Sequence, residues 1–518
     1  MSNIRAKTYG KRPFLIHFPG SVAFPIGAPG GRLSCVALVL LLLAGSPSQS
    51  VHGDDASDRA LARRELLRAV AFYDEHVSVN GGYLWRYSAD LKWREGEGKA
   101  DADTAWVQPP GTPTVGEALL YAYQVTGEPR ILAAAQRTGE ALCAGQLVSG
   151  GWDYRIVSGE QRSQYMYRQS SKHGPKARNV TTLDDNTTQA ALQFLMKLDR
   201  ELHFKHQAIH AAAMYALDKL VAVQYPNGAW PQRFSEAPNP ADFPPLPASY
   251  PQSWSREYPK LDYRSHYTFN DNSIADTIET MFMAHQIYRD QAAEQADQYR
   301  QAALRGGAFI LAAQMPEPQP GWAQQYDREM HPAWARKFEP PAVTGGESQG
   351  VMRVLLELYD WSGEERFLKP IPSALAYFRR SLRPDGRLAR FYELKTNRPL
   401  YFTKDYQLTY DDSDMPTHYG FIISSNLDAI ERKYQSLLKS GPNRPTLAPR
   451  PERIERPSSR NIRMAAQLAR ELDQRGAWVT QGELRFDDRD ASVPLIDSRE
   501  FATRIRQISQ GIGAASEK

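Results

Sequence analysis

Two stretches far apart in the chain repeat one another in register. Leu119-Leu120-Tyr121-Ala122-Tyr123-Gln124-Val125-Thr126-Gly127-Glu128-Pro129-Arg130 is matched by Leu355-Leu356-Glu357-Leu358-Tyr359-Asp360-Trp361-Ser362-Gly363-Glu364-Glu365-Arg366. In each, an amphipathic helix ends at Thr or Ser plus Gly, and a second helix is predicted just past the Glu-x-Arg. That is a helical hairpin with a short turn. The end of each second helix recurs as well. Gln146 leads to Gly150-Gly151-Trp152-Asp153-Tyr154, and Gln224 leads to Asn227-Gly228-Ala229-Trp230-Pro231-Gln232. Gln314 leads to Gly321-Trp322-Ala323-Gln324, and Asp385-Gly386-Arg387-Leu388-Ala389-Arg390-Phe391 ends a fourth copy. Asn80-Gly81-Gly82-Tyr83-Leu84-Trp85 reads as an earlier, partial one. Such hairpins stack into a solenoid or close into a ring, and repeated loops on one rim make one shared face. The expected fold is all-α dominated, an α/α toroid of repeated hairpins with short β-strands at the hairpin ends. An open solenoid that only binds a partner is the alternative.

Both ends of the chain depart from the repeat. Residues 36–44 (VALVLLLLA) follow basic residues and are too short to span a bilayer comfortably. They fit the h-region of a signal peptide cleaved near Gly53, so residues 1–53 are expected to be a leader and the mature protein to be secreted or periplasmic. An uncleaved anchor is the alternative. That leader carries five basic residues and no acidic one; without it the formal charge goes from +4 to −1. A nearly neutral protein has no global basic field, which argues against bulk nucleic-acid binding. Residues 54–440 are expected to form the toroid. Residues 441–518 are expected to hold a Pro/Arg-rich linker and a C-terminal helical segment, and the protein to be a monomer without membrane contact in its mature form. Of two cysteines, Cys35 lies in the leader and Cys143 is left alone. There is therefore no disulfide framework, and Cys143 reads as a helix-core residue rather than a catalytic thiol.

Two acidic turns stand before predicted helices: Thr182-Leu183-Asp184-Asp185-Asn186-Thr187-Thr188-Gln189 and Tyr267-Thr268-Phe269-Asn270-Asp271-Asn272-Ser273. Each is either a helix cap or a site. In successive repeats of a toroid the two turns are neighbours. Hard oxygen donors of this kind suit Ca²⁺, while zinc-spaced His and Cys clusters and an EF-hand loop are missing from the sequence. His266 is a single further ligand candidate, read rather as structural or substrate-contacting. Basic residues interleave with aromatics at Trp334-Ala335-Arg336-Lys337-Phe338-Glu339 and from Arg390 to Lys404. Such alternation suits carboxylate binding and ring stacking, or else is a solvated surface strand. The chain has 10 Trp, 26 Tyr and 19 Phe, enough for a core and for a sugar groove.

Taken in order over residues 150–405, six segments resemble the family 10 polysaccharide lyases, pectate lyases with an α/α toroid. They are Gly150-Gly151-Trp152-Asp153, Asp184-Asp185-Asn186-Thr187-Thr188, Asn227-Gly228-Ala229-Trp230-Pro231-Gln232, Thr268-Phe269-Asn270-Asp271, Trp334-Ala335-Arg336 with Phe338-Glu339-Pro340-Pro341, and Arg390-Phe391-Tyr392-Glu393 with Thr396-Asn397-Arg398-Pro399. The resemblance implies an enzyme that cleaves polygalacturonate by calcium-assisted β-elimination. It puts the metal on Asp184, Asp185 and Asp271, the catalytic arginine at Arg336, and substrate-binding cations at Arg390 and Lys404. Trp230 is expected to shape a sugar subsite or to pack in the core. The chain departs from the family at Asp185, where the family has Asn, unless the register slips by one onto Asp185-Asn186; it departs also at Ala229, where the family has Gly, and at Lys404. There the family's Gly-Arg-Asp reads Thr403-Lys404-Asp405, and Lys keeps the charge but not the bidentate fork. Two other readings stay open. One is a toroid glycoside hydrolase using Asp184 and Asp271 as its carboxylate pair; the other is a non-catalytic polyuronate binder.

Overall fold

The computed structural model describes residues 55–263, 265–442, 456–486 and 492–514. The expected leader, residues 1–53, lies outside the described residues. Helices dominate: α1 (Asp55–Phe72), α2 (Thr112–Thr126), α3 (Pro129–Ala144), α4 (Thr187–Glu201), α5 (Gln207–Ala222) and α6 (Ser273–Tyr288). They continue with α7 (Ala293–Ala312), α8 (Gly345–Ser362), α9 (Ile371–Arg380), α10 (Leu427–Ser440), α11 (Ser459–Arg470) and α12 (Ser498–Ile512). The two repeats seen first in the sequence end alike. The Gly127 N–H caps α2 on Tyr123 O, and the Gly363 N–H caps α8 on Tyr359 O. They differ just after. Pro129 starts α3 at once, whereas a 3₁₀ turn, Glu365–Phe367, intervenes before α9.

The hairpins stand side by side in two layers, the α/α-toroid class that the sequence predicts. Helices α2, α4, α6, α8 and α10 are successive neighbours in one layer, and α1, α3, α5 and α7 in the other. The C-terminal helices return to the beginning of the chain: α12 packs on α2, and α11 on α1. A four-stranded sheet of Thr480–Gly482, Val493–Asp497, Arg86–Ser88 and Arg94–Glu95 ties the same two regions together. Among the described residues no helix is long and apolar enough to cross a membrane.

One contact recurs at the ends of α3, α5 and α7. The indoles of Trp152, Trp230 and Trp322 donate to the carbonyls of Leu142, Leu220 and Ile310. Gln146, Gln224 and Gln314 each donate both to the carbonyl of their own turn and to one from the next hairpin. A Trp buried with its N–H satisfied contributes its whole apolar area to the core without a desolvation cost. This corrects the expected sugar subsite at Trp230. Its ring is 1 % exposed and cannot stack on a ligand. Cys143 is buried in α3 with its thiol against the Ala208 carbonyl, and burial pushes its pKa up to about 12, as befits a core residue.

Short antiparallel strand pairs then staple neighbouring hairpins along one rim. Thr181–Thr182, which leads into α4, pairs with Arg233–Phe234, which follows Trp230. Tyr267–Thr268, which leads into α6, pairs in the same way with Gln325–Tyr326 after Trp322. Each of these two strands runs into a short 3₁₀ turn, Asp184–Asn186 and Asn270–Asn272, and the two turns are in contact.

Candidate active site

The two acidic turns have one backbone shape. Asp185 and Asn186 have φ of 51° and 56°, and Asp271 and Asn272 have 49° and 57°. Left-handed conformation at paired non-glycine residues is uncommon and is tolerated best by Asp and Asn. Neither Asn186 nor Asn272 caps its helix through its side chain. The reading of these turns as simple helix caps therefore falls, and the turns hold their side chains for something else.

What they hold is an acidic centre. Carboxylate oxygens of Asp184, Asp185 and Asp271 all come within 4.8 Å of one another. Asp184 Oδ2 accepts from the Tyr154 hydroxyl at 2.9 Å and from Arg233 at 3.2 Å. Its Oδ1 is buried without a partner, as is Asn186 Oδ1. Orphaned buried oxygens are costly unless a cation or water takes them. The donor set is all oxygen and rich in carboxylate, so these residues fit Ca²⁺. Asp271 is exposed at the cleft surface, yet desolvation by the crowded loops and the nearby Asp184 charge push its carboxyl up to about 6, against the opposing pull of Arg336 and Arg390.

Arginines form the facing wall. Arg336 is gripped at two points by buried Glu339, with Nε to Oε2 at 2.8 Å and Nη2 to Oε1 at 2.6 Å. Burial alone would lower the Arg336 pKa, but the hydrogen bonds and charge of Glu339 hold it above the ordinary arginine value. Gln324 links Glu339 to Asn270, and the Tyr419 hydroxyl donates to Glu339 at 3.1 Å. Arg390 pairs with Glu347 and lies 4.3 Å from the Tyr419 ring centroid. His266 lines the small cavity between Asp184, Arg233 and Arg336. Its Nδ1 is buried without a partner, and desolvation lowers its pKa, which favours the neutral ring.

Five of the seven residues picked from the sequence thus meet here: Asp184, Asp185, Asp271, Arg336 and Arg390. Trp230 lies in the core. Lys404 is on an exposed hairpin, its ammonium 2.9 Å from Asp414. Sequence reasoning gave no role to Tyr154, Arg233, Glu339 or Tyr419. Tyr154 ends one of the repeat segments and Arg233 directly follows another, Asn-Gly-Ala-Trp-Pro-Gln, but nothing in either segment gave them a partner.

Residues 146–388 match the family described as Pectic acid lyase. The resemblance to these lyases holds. Among solved structures the chain is similar to a family 10 polysaccharide lyase from Cellvibrio cellulosa, at 21% identity and TM-score 0.42, covering 58% of this chain and 91% of that one. A mutant form of a family 10 lyase from the same organism, in complex with trigalacturonic acid, aligns at 20% identity and TM-score 0.42, covering 64% and 98%. An unsaturated glucuronyl hydrolase specific for heparin aligns at 9% identity and TM-score 0.36, covering 88% and 97%. No curated protein matches. The family match supports polysaccharide lyase chemistry.

Proposed function

We propose that the protein is an exported pectate lyase that cleaves polygalacturonate by calcium-assisted β-elimination. The observation that carries this reading is the carboxylate triad of Asp184, Asp185 and Asp271 facing Arg336 and Arg390. A polyuronate is recognised by cations, and this cleft offers fixed arginines on one wall and a place for a divalent ion on the other. Export fits the basic and apolar pattern of residues 1–53, since such a polymer is met outside the cell.

Asp184, Asp185 and Asp271 hold the ion, and Tyr154 with Arg233 fixes the orientation of Asp184. An ion held by these carboxylates would supply positive charge near the uronate carboxylate and so make the C5 proton more acidic. Arg390 and Arg336 add to that charge from the opposite wall, as preorganised donors do for a developing enolate. The C5–H bond breaks with its proton passing to Arg336, its electrons form the C4–C5 double bond, and O4 leaves and is protonated by solvent. Arg336 can accept a proton only as the neutral guanidine, so the hold of Glu339 opposes this step until substrate and ion are present. Lys404 joins the substrate only if its pair with Asp414 opens.

The hydrolase reading is less well supported. A glycosidase uses two carboxyl groups that flank the scissile bond, whereas here three carboxylates crowd together and Asp184 Oδ1 is left without a donor, as suits a cation. The deciding experiment follows ultraviolet absorbance of residues 54–518 on polygalacturonate, with calcium and with chelator, beside Arg336→Ala. A calcium-dependent rise lost in the variant is expected. Reducing ends without absorbance would point to hydrolysis, and neither signal would leave a binder.

A further inference from the structure

Next to the acidic centre lies a second cavity, of about 360 Å³, lined by Trp106, Asp153, Tyr154, Arg155, Tyr165 and Arg178 among others. It is large enough for a small ligand. Three observations bear on what it takes. The first is continuity. Tyr154 lines this cavity, yet its hydroxyl donates to Asp184, and Arg233 lies 5.5 Å from its ring while bonding the same carboxylate. One aromatic side chain is thus shared between the acidic centre and its neighbour.

The second is chemistry. The strand pair Thr104–Trp106 with Arg155–Val157 sets Arg155 opposite Trp106, with the guanidinium 5.0 Å from the ring centroid. A cation held on a ring face keeps its N–H donors for a ligand. Two acids and two arginines line the cavity: Arg178 is paired with buried Asp153, and Glu97 is the second acid, beside Arg155. Tyr165 stacks on Tyr167 and adds a partly exposed aromatic face. Guanidinium beside aromatic rings is what an acidic sugar unit needs, with charge for the carboxylate and a flat face for the ring.

The third is provenance. Trp106 precedes residues 146–388, the stretch that matches the family. That side of the wall thus lies outside the matched stretch, and Arg155, Tyr165 and Arg178 lie within it.

We infer that this cavity is a second uronate subsite, in which Arg155 binds the carboxylate of a sugar unit further along the polymer than the one at the acidic centre. The inference rests on the polyuronate reading above. It makes binding depend on chain length. Titration calorimetry of the protein with di- and hexagalacturonate, in calcium and in chelator, tests it. Wild type is expected to bind the hexamer more tightly than the dimer. Arg155→Ala should weaken the hexamer about tenfold, the loss of one charge-assisted contact, and leave the dimer within about twofold. Arg155→Lys should fall between. Melting curves check that each variant is folded. Equal affinities for the two lengths in wild type, no binding of either, no effect of Arg155→Ala, or equal weakening of both lengths would each overturn the subsite. Absorbance read in the same samples separates the two ideas. Length-dependent binding without unsaturated product retires the lyase reading and leaves the subsite; product formation with Arg155→Ala indifferent to length does the reverse.

Discussion

At the scale of single residues, Glu339 decides how Arg336 works. Its two-point grip keeps the guanidinium charged. If Arg336 is the proton acceptor, Glu339→Gln eases its deprotonation, and the pH–rate curve should move to lower pH. If Arg336 acts only as a fixed cation, the same variant lowers the rate at every pH without moving the curve. Asp271 gives a second handle. A proton on its carboxylate competes with the ion, so calcium affinity should fall below about pH 6, by up to about tenfold per pH unit from this group. Calorimetric titration at pH 7 and pH 5 measures it. The free protein responds in the opposite sense. The folded Asp271 takes up a proton near pH 6 that the unfolded chain takes up only near its ordinary value, so between pH 7 and pH 5 this group makes the ion-free protein more stable. The acids and arginines were legible because each stands in a motif with its own spacing. Tyr154 and Arg233 were not, since their partner Asp184 lies 30 and 49 residues away and meets them only when hairpins pack.

At the scale of elements, the glycine turn sets the geometry of every repeat. Gly228 has φ +95°, and a Cβ there would run into the carbonyl oxygen of Arg305 on the next hairpin. Gly228→Ala should cost at least ~2 kcal/mol, read as a lower midpoint in denaturant melts. The hairpins were legible from Thr-Gly or Ser-Gly ends and from these turns. One was passed over. Gly476-Ala477-Trp478 repeats Gly228-Ala229-Trp230, with Gly476 at φ +100° and the Trp478 indole donating to Leu468. Helix α11 thus ends in the same way as α3, α5 and α7. It was obscured because the preceding residues 440–460 are rich in Pro and Arg, and because its neighbours in space are at the other end of the sequence.

At the scale of the whole molecule, α11 and α12 cover one side of α1 and α2. Tyr73 of the opening segment stacks on Phe501 at 3.7 Å between centroids, and its hydroxyl meets Ser498 at 2.8 Å. Deleting residues 441–518 should therefore do more than trim a tail. It should bare apolar surface on α1 and α2 and leave a protein that melts earlier or aggregates, as light scattering on heating would report. The strands that staple the rim explain why the acidic centre depends on the intact array, for its ligands come from two hairpins and its arginines from two further stretches of chain.

The spatial neighbour of the first hairpin is the last one made. Synthesis runs from one terminus to the other, but the array is finished only when its final segment reaches back to its first. Contacts of such sequence separation carry a large loop-closure cost and slow folding. A chain emerging in order must hold α1 and α2 with one flank uncovered until α12 is available, which leaves that flank open to capture by chaperones in the meantime.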